Sequence, residues 1–329
     1  MSVHIAKEKS VVVGVEMTGG KATVALIDKQ GWVHQRCTAK TLRGRPALAT
    51  LEAYLRAVDT ILTYAQTEEL TINGIGMSIP GSLDRSARRP VLVPLLPSLN
   101  NFPLCDFFEA RYQLPTTLSA DVDAAMLGEH RLGAGRGFQR PLFLTVNAVV
   151  GAAFLGDCQL EQKQLQYIGH VSHLPVSTNG PRCSCGKRGC INSLVSIDAL
   201  QRMVQRALRR GDETSLTLRF QNHEYFSPQL LAEEAERGDS VALQIYGELG
   251  RWLGMALSKY VTLFRPDVLI LGGEVVGDNA LLLTIVRNVL STQHGTGNPV
   301  ELVSACLGRD AALIGAALAQ DRYSYSHAH

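Results

Sequence analysis

No apolar run in this 329-residue chain approaches the ~18 residues of a membrane span, and charge of one sign does not dominate it. Lys and Arg total 32 against 30 acids, a net charge of +2. That balance speaks against a dedicated nucleic-acid or membrane surface, which needs a marked basic excess. Low-complexity stretches are missing as well, so no linker divides the chain by composition. The segment before the first apolar run is short and charged, unlike a signal peptide. Charged residues make up 19% and apolar ones 46%, which excludes a disordered chain. The expectation is a cytoplasmic protein with about two packed cores.

Seven cysteines are an odd number for a disulfide framework. Cys37, Cys105, Cys158 and Cys306 stand alone in apolar surroundings and read as buried free thiols. Cys183, Cys185 and Cys190 instead fall within eight residues. Without a leader, that cluster points to a metal. Zinc takes four borderline or soft ligands in a tetrahedron, so three thiolates need one more, from His170 or His173. Gly186 and Gly189 let the loop wrap around one point. The competing reading is a reduced, metal-free loop.

Along the chain, residues 11–28 read as two strands around Thr18-Gly19-Gly20, with a third strand through Cys37. A helix follows over 46–66, a strand over 72–79 ending at Pro80-Gly81, a helix over 103–112, a strand over 116–120 and a helix over 122–132 entered from Asp121. A second hairpin then spans 141–155, turning at Asn147-Ala148-Val149. Its layout repeats the first: apolar strand, turn, strand, Asp-containing turn. Two such hairpins, each feeding α/β structure, predict a duplicated fold. Beyond it come a helix over 240–264, a strand over 268–271 ending in Gly272-Gly273, a helix over 279–290, a strand over 300–303, a helix over 310–319 and a polar, frayed tail.

With these segments in place, Gly169-His170 followed by Cys-x-Cys-Gly-x-x-Gly-Cys resembles the zinc signature of the ROK family (repressors, open reading frames and sugar kinases). Pro80-Gly81-Ser82-Leu83-Asp84, Asp121–Glu129, Gly272-Gly273 and the segment 308–317 resemble further family segments, so the resemblance runs over nearly the whole chain. It implies an α/β, actin-like (ribonuclease-H-like) duplicated fold of two domains with a cleft for sugar and nucleotide. The domains are expected at 1–120, with the final helix 310–322 returning to it, and at 121–309, carrying the zinc loop 170–190. It implies a structural Zn2+ on His170, Cys183, Cys185 and Cys190, leaving His173 an ordinary polar residue. It also implies a homodimer.

Asp121 is the catalytic candidate, a carboxylate placed to take a proton from a sugar hydroxyl attacking the γ-phosphate. A helix N-cap is the bland alternative. Glu129 matches a family position but reads as a solvated helix residue. The family's Asp-x-Gly-Gly-Thr turn is here Glu16-Met17-Thr18-Gly19-Gly20, and its Gly-Thr-Gly-x-Gly is Asn147-Ala148-Val149-Val150-Gly151. The β-branched Val149 disfavours positive φ and crowds a backbone meant to touch phosphate. Glu16, Thr18, Gly19, Gly20, Gly151, Gly272 and Gly273 are therefore altered or residual nucleotide-side positions. On the sugar side, beside Asp121 and His170, Tyr167 and Asn192 stand where the family has glutamates.

Losses on both sides predict a non-catalytic sugar or phosphosugar sensor, with a regulatory protein as a possible partner. The alternative is an ATP- and Mg2+-dependent kinase for a hexose or N-acetylhexosamine. A DNA-binding repressor is the third reading. Only about ten residues precede Val11, too few for a winged helix-turn-helix, so direct DNA binding is not expected.

Overall fold

The computed structural model describes residues 10–42, 44–84, 86, 88–156, 171–277, 279–294 and 300–326. The chain divides into two compact units, 1–136 with 309–329, and 137–308.

In the first unit, β1 (Ser10–Met17), β2 (Lys21–Ile27) and β3 (Val33–Lys40) form an antiparallel meander. β4 (Thr71–Ile79) and β7 (Thr116–Ala120) continue the sheet in parallel beyond β1, giving the order β3-β2-β1-β4-β7. A separate small ribbon pairs β5 (Ser82–Asp84) with β6 (Arg89–Leu92). Strand alternation sends Val11, Val13, Val15 and Met17 to one face, where Leu51, Tyr54, Val58 and Ile61 of α1 (Ala47–Thr67) close a core with them. Helix α2 (Leu104–Tyr112) adds Leu104 and Phe108 to the same core.

The opposite face is covered by the last helix of the chain, α10 (Ala311–Ser326), which also packs closely on α3 (Asp121–Leu132). A Cβ at Gly315 would lie 1.7 Å from the Ala124 carbonyl oxygen, so only glycine permits this approach. The same contact moves the division of the chain to after residue 136 from the expected 120. Helix α3 buries its apolar side against α10 and therefore belongs to the first unit. Helix α10 also runs on through Ser326, past the expected end.

The second unit repeats the plan. β8 (Pro141–Val146) and β9 (Val150–Phe154) form an antiparallel hairpin, and β10 (Val268–Gly272) and β11 (Glu301–Ser304) extend it in parallel, in the order β11-β10-β8-β9. Both sheets thus place a hairpin beside parallel strands, which is the duplicated topology of the actin-like ATPase fold. Four helices unresolved by the sequence reading follow the cysteine loop: α4 (Ile191–Val195), α5 (Ile197–Arg210), α6 (Leu216–Gln221) and α7 (Pro228–Glu236). Ser196 and Ser227 cap α5 and α7, and Asp239 caps α8 (Ser240–Phe264), each accepting a backbone N–H three residues on. α8 and α9 (Ala280–His294) pack together over the unit's core. No helix among the described residues is long and apolar enough to cross a membrane.

Candidate functional site

Glu16 lies near the end of β1, on the face opposite the α1 core. Its register partners are Thr23 on β2 and Ser78 on β4, and Ser78 pairs in turn with Ser119 on β7. Partners in register project from the same face, so a polar row crosses the sheet here. One residue past β7 stands Asp121, and Asp310 ends the 3-10 turn Gly308–Asp310 before α10. Arg36 of β3 pairs with Asp310, Nη2 to Oδ2, at 2.5 Å.

Two of these acids are raised above the usual carboxylate range. Burial first, then the charges of Asp121 and Asp310, push the Glu16 carboxyl up to about 7, against the pull of Lys21 and Arg36. Burial likewise lifts Asp121 to about 6, opposed by the Val122 N–H and helped by Asp123. A carboxylate of that basicity is suited to accept a proton near neutral pH. The N-cap reading of Asp121 is corrected. The cap position is Ala120 without a side-chain bond, and Asp121 is the first helical residue, its Oδ1 accepting the Val122 N–H at 2.9 Å.

The turn beside these acids is held from its flanks. The Thr18 hydroxyl donates to the Lys21 carbonyl at 2.8 Å, and the buried Tyr54 hydroxyl donates to the Thr18 carbonyl at 2.8 Å. Thr18, which replaces a family glycine, thus closes the turn with its own side chain. Glu129 is a further correction. It is fully buried, and its Oε2 accepts the Ala134 N–H at 2.8 Å, fastening the loop after α3.

The second hairpin is occupied by amides. Asn147 donates Nδ2 to the Thr145 hydroxyl at 3.1 Å and accepts the Glu274 N–H on Oδ1 at 2.8 Å. The Val150 N–H donates to Asn192 Oδ1 at 2.9 Å. Asn192 therefore holds the turn with its oxygen, while its N–H groups take no part in that bond. Gly151 sits within β9 opposite Thr145. Gly273 has φ +97°, and a Cβ there would come 2.5 Å from the Val146 carbonyl oxygen, so its glycine serves close backbone packing against β8. Val149 is 60% exposed and points away from the core.

Cys183, Cys185, Cys190 and His173 converge, with one ligand atom from each within 4.8 Å of the others. His173 Nδ1 lies 3.3 Å from Cys183 Sγ, and the sulfurs of Cys185 and Cys190 are 3.6 Å apart. The histidine in the cluster is thus the one read as an ordinary polar residue. His170, like Tyr167, lies outside the described residues. The fold places His173 because its neighbours are anchored: Ile191 N–H donates to the Leu174 carbonyl at 2.9 Å, and Pro175 pairs with Cys190. Gly189, at φ +62°, turns the loop where a Cβ would meet the Ser177 carbonyl at 1.8 Å. Lys259 on α8 donates to the Pro175 carbonyl at 2.8 Å.

Burial works against ionising Cys183, but the Cys185 N–H and His173 outweigh it and hold the thiol low. The Lys187 N–H lowers Cys185, whereas burial pushes Cys190 up to about 12. Three sulfurs and an imidazole at this spacing match the donor set of a closed, structural zinc site. Elsewhere, Cys105 is buried and Cys37 half-buried as free thiols, Cys306 is exposed rather than buried, and Cys158 lies outside the described residues.

The sequence expectations gave no role to Asp310 or Arg36, and Asn147 entered only as part of an altered turn motif. Asp310 had a signal, an acid opening a helix in the segment 308–317 already marked, but its pairing with a strand residue 274 positions away had none.

The ROK family model matches residues 12–322. A glucokinase from Thermotoga maritima is 28% identical over 313 residues, which cover 93% of this chain and 96% of that protein. A ROK family glucokinase from Streptomyces griseus, solved in complex with glucose and AMPPNP, is 26% identical with a TM-score of 0.77, covering 93% of this chain and 98% of that one. The transcriptional regulator NagC of Escherichia coli is 23% identical over 286 residues, 85% of this chain and 68% of that protein. These matches overturn the expectation of a non-catalytic sensor: relatives aligned over nearly their whole length are glucokinases.

Proposed function

Given that the chain belongs to the ROK family, we propose that it is an ATP-dependent sugar kinase with Asp121 as the catalytic base. The observation that carries this reading is the setting of Asp121, first in α3, with its pKa lifted to about 6 and Glu16 lifted to about 7 in the same unit. A base of that strength is ionised at neutral pH and still takes a proton readily. Full-length glucokinase relatives support the reaction class.

In this mechanism Asp121 accepts the proton of one sugar hydroxyl as that oxygen bonds to the γ-phosphorus. The bond from phosphorus to the β,γ-bridging oxygen breaks, and ADP leaves with both of its electrons. Magnesium, carried in with ATP, neutralises charge on the phosphates. The Thr18–Gly20 turn supplies a short, close-approaching backbone at the same edge of the sheet as Glu16. Hexoses and N-acetylhexosamines are the substrate classes.

The cluster of His173, Cys183, Cys185 and Cys190 is proposed to hold a structural zinc ion. With zinc bound there, Cys190 would tie the loop to the start of α4, two residues before Asn192.

Calorimetric titration with Mg·ATP, alone and with a panel of hexoses and N-acetylhexosamines, tests the reading, followed by ADP release with any sugar that sharpens ATP binding. Binding and turnover, both dependent on one sugar and the latter lost in Asp121→Asn, are expected. Absence of ATP binding across the panel contradicts it.

A further inference from the structure

The face of the first sheet that carries Glu16 has a second charged feature. β2 begins at Lys21 and β3 ends at Lys40, and the two are register partners, directly opposite across the antiparallel pair. Like charges in that position destabilise a sheet. Both side chains are exposed, and neither makes an ion pair among the described residues. Alternation along β3 puts Arg36, Thr38 and Lys40 on one face, and their partners Ala25, Thr23 and Lys21 share it. Thr23 is in turn the partner of Glu16, so both lysines stand on the Glu16 face. The field of Lys21 reaches the Glu16 carboxyl directly.

The two ammonium groups also flank the turn. Gly20 immediately precedes Lys21, and the Thr41 N–H, next after Lys40, donates to the Gly20 carbonyl at 3.4 Å. The end of β3 is thereby tied to the glycine turn. Arg36, the third cation of this face, is already engaged by Asp310. Lys21 and Lys40 are the two cations on this face that no acid engages among the described residues.

We propose that Lys21 and Lys40 form a two-lysine clamp for the phosphate chain of the phosphoryl donor. The idea rests on the kinase reading and deepens it. A polyanion between the two ammonium groups removes their mutual repulsion and lies against the Gly19-Gly20 backbone. Lys40 is the diagnostic member, because it takes no part in the turn itself through its side chain.

The test uses the whole chain and inorganic tripolyphosphate as the probe, by calorimetry at low salt, with wild type, Lys40→Ala and Lys40→Arg. Lys40→Ala is expected to weaken tripolyphosphate binding about five- to tenfold and to raise the KM for ATP by a similar factor, with the sugar KM unchanged. Lys40→Arg restores most of both. The melting temperature of Lys40→Ala stays equal to wild type or rises, since a repulsive pair has gone; a purely structural lysine would give a fall. Wild-type affinity for tripolyphosphate in Lys40→Ala, or no binding by wild type, overturns the clamp even if sugars are phosphorylated. Lys40-dependent tripolyphosphate binding without any sugar phosphorylation leaves the clamp standing and refutes the kinase reading instead.

Discussion

The two hairpins of this molecule start from the same plan and end with opposite chemistry. In the first, the turn is fastened from its flanks by the Thr18 and Tyr54 hydroxyls, and acids gather beside it on strand and helix ends. In the second, Asn147 bonds the Thr145 hydroxyl and the Glu274 N–H, Asn192 accepts the Val150 N–H, and Val149 faces solvent. Similar topology therefore does not carry similar function. Reactive charge is concentrated in the first unit. In the second unit, side-chain amides and a cysteine cluster serve to hold loops in place.

The largest effect that would break or sharpen this contrast is on rate. Asp121→Asn keeps the shape but removes the base, so kcat for sugar phosphorylation should fall by about 10²–10⁴-fold with little change in melting temperature. A small loss would mean that the first unit's acids are not the reactive ones. Next comes the cysteine cluster. Stripping metal with a chelator, or Cys190→Ser, should destabilise the second unit by several kcal/mol, read as an early unfolding transition, and metal analysis of untreated protein should give about one zinc per chain. Cleanly unaltered melting after Cys190→Ser would refute the zinc assignment.

Long apolar stripes and hairpins were legible: the helix Ser240–Phe264 and the strands around both turns follow from spacing alone. The helices between 191 and 236 were not resolved, because pieces as short as Leu216–Gln221 hold too few turns to show a stripe. Serine caps at 196 and 227 were the usable signal. Domain membership of α3 was not readable either. It depends on Gly315 meeting Ala124, a contact between residues far apart in the chain. The three cysteines were plain from spacing, and His173 joins them through the pairing of Pro175 with Cys190, while His170 lies outside the described residues. The degenerate turn motifs were read as lost function. In the structure Thr18 closes its turn with a hydroxyl, a solution that a motif comparison cannot display.

Smaller effects refine the same contrast. Asn192→Ala leaves the Val150 N–H without its partner and should cost about 1–3 kcal/mol, seen in urea unfolding. An unchanged midpoint would show that the amide does not hold the second turn. Glu16→Gln should act in the other direction. The Glu16 carboxyl is raised from 4.5 to about 7, so its ionisation removes stability as pH climbs through that window. The glutamine variant should thus be more stable than wild type by on the order of 1–2 kcal/mol at pH 8 and equal to it near pH 4. Equal stability at both pH values would mean that the first site stores no electrostatic strain.

The most direct measurement is transfer of the γ-phosphate of labelled ATP to a sugar, followed across pH with wild type and Asp121→Asn. A phosphorylated sugar is expected, its rate of formation rising through an apparent pKa of about 6 in wild type and lost in the variant. A phosphosugar made equally well by Asp121→Asn, or no phosphosugar from any hexose or N-acetylhexosamine, would contradict it.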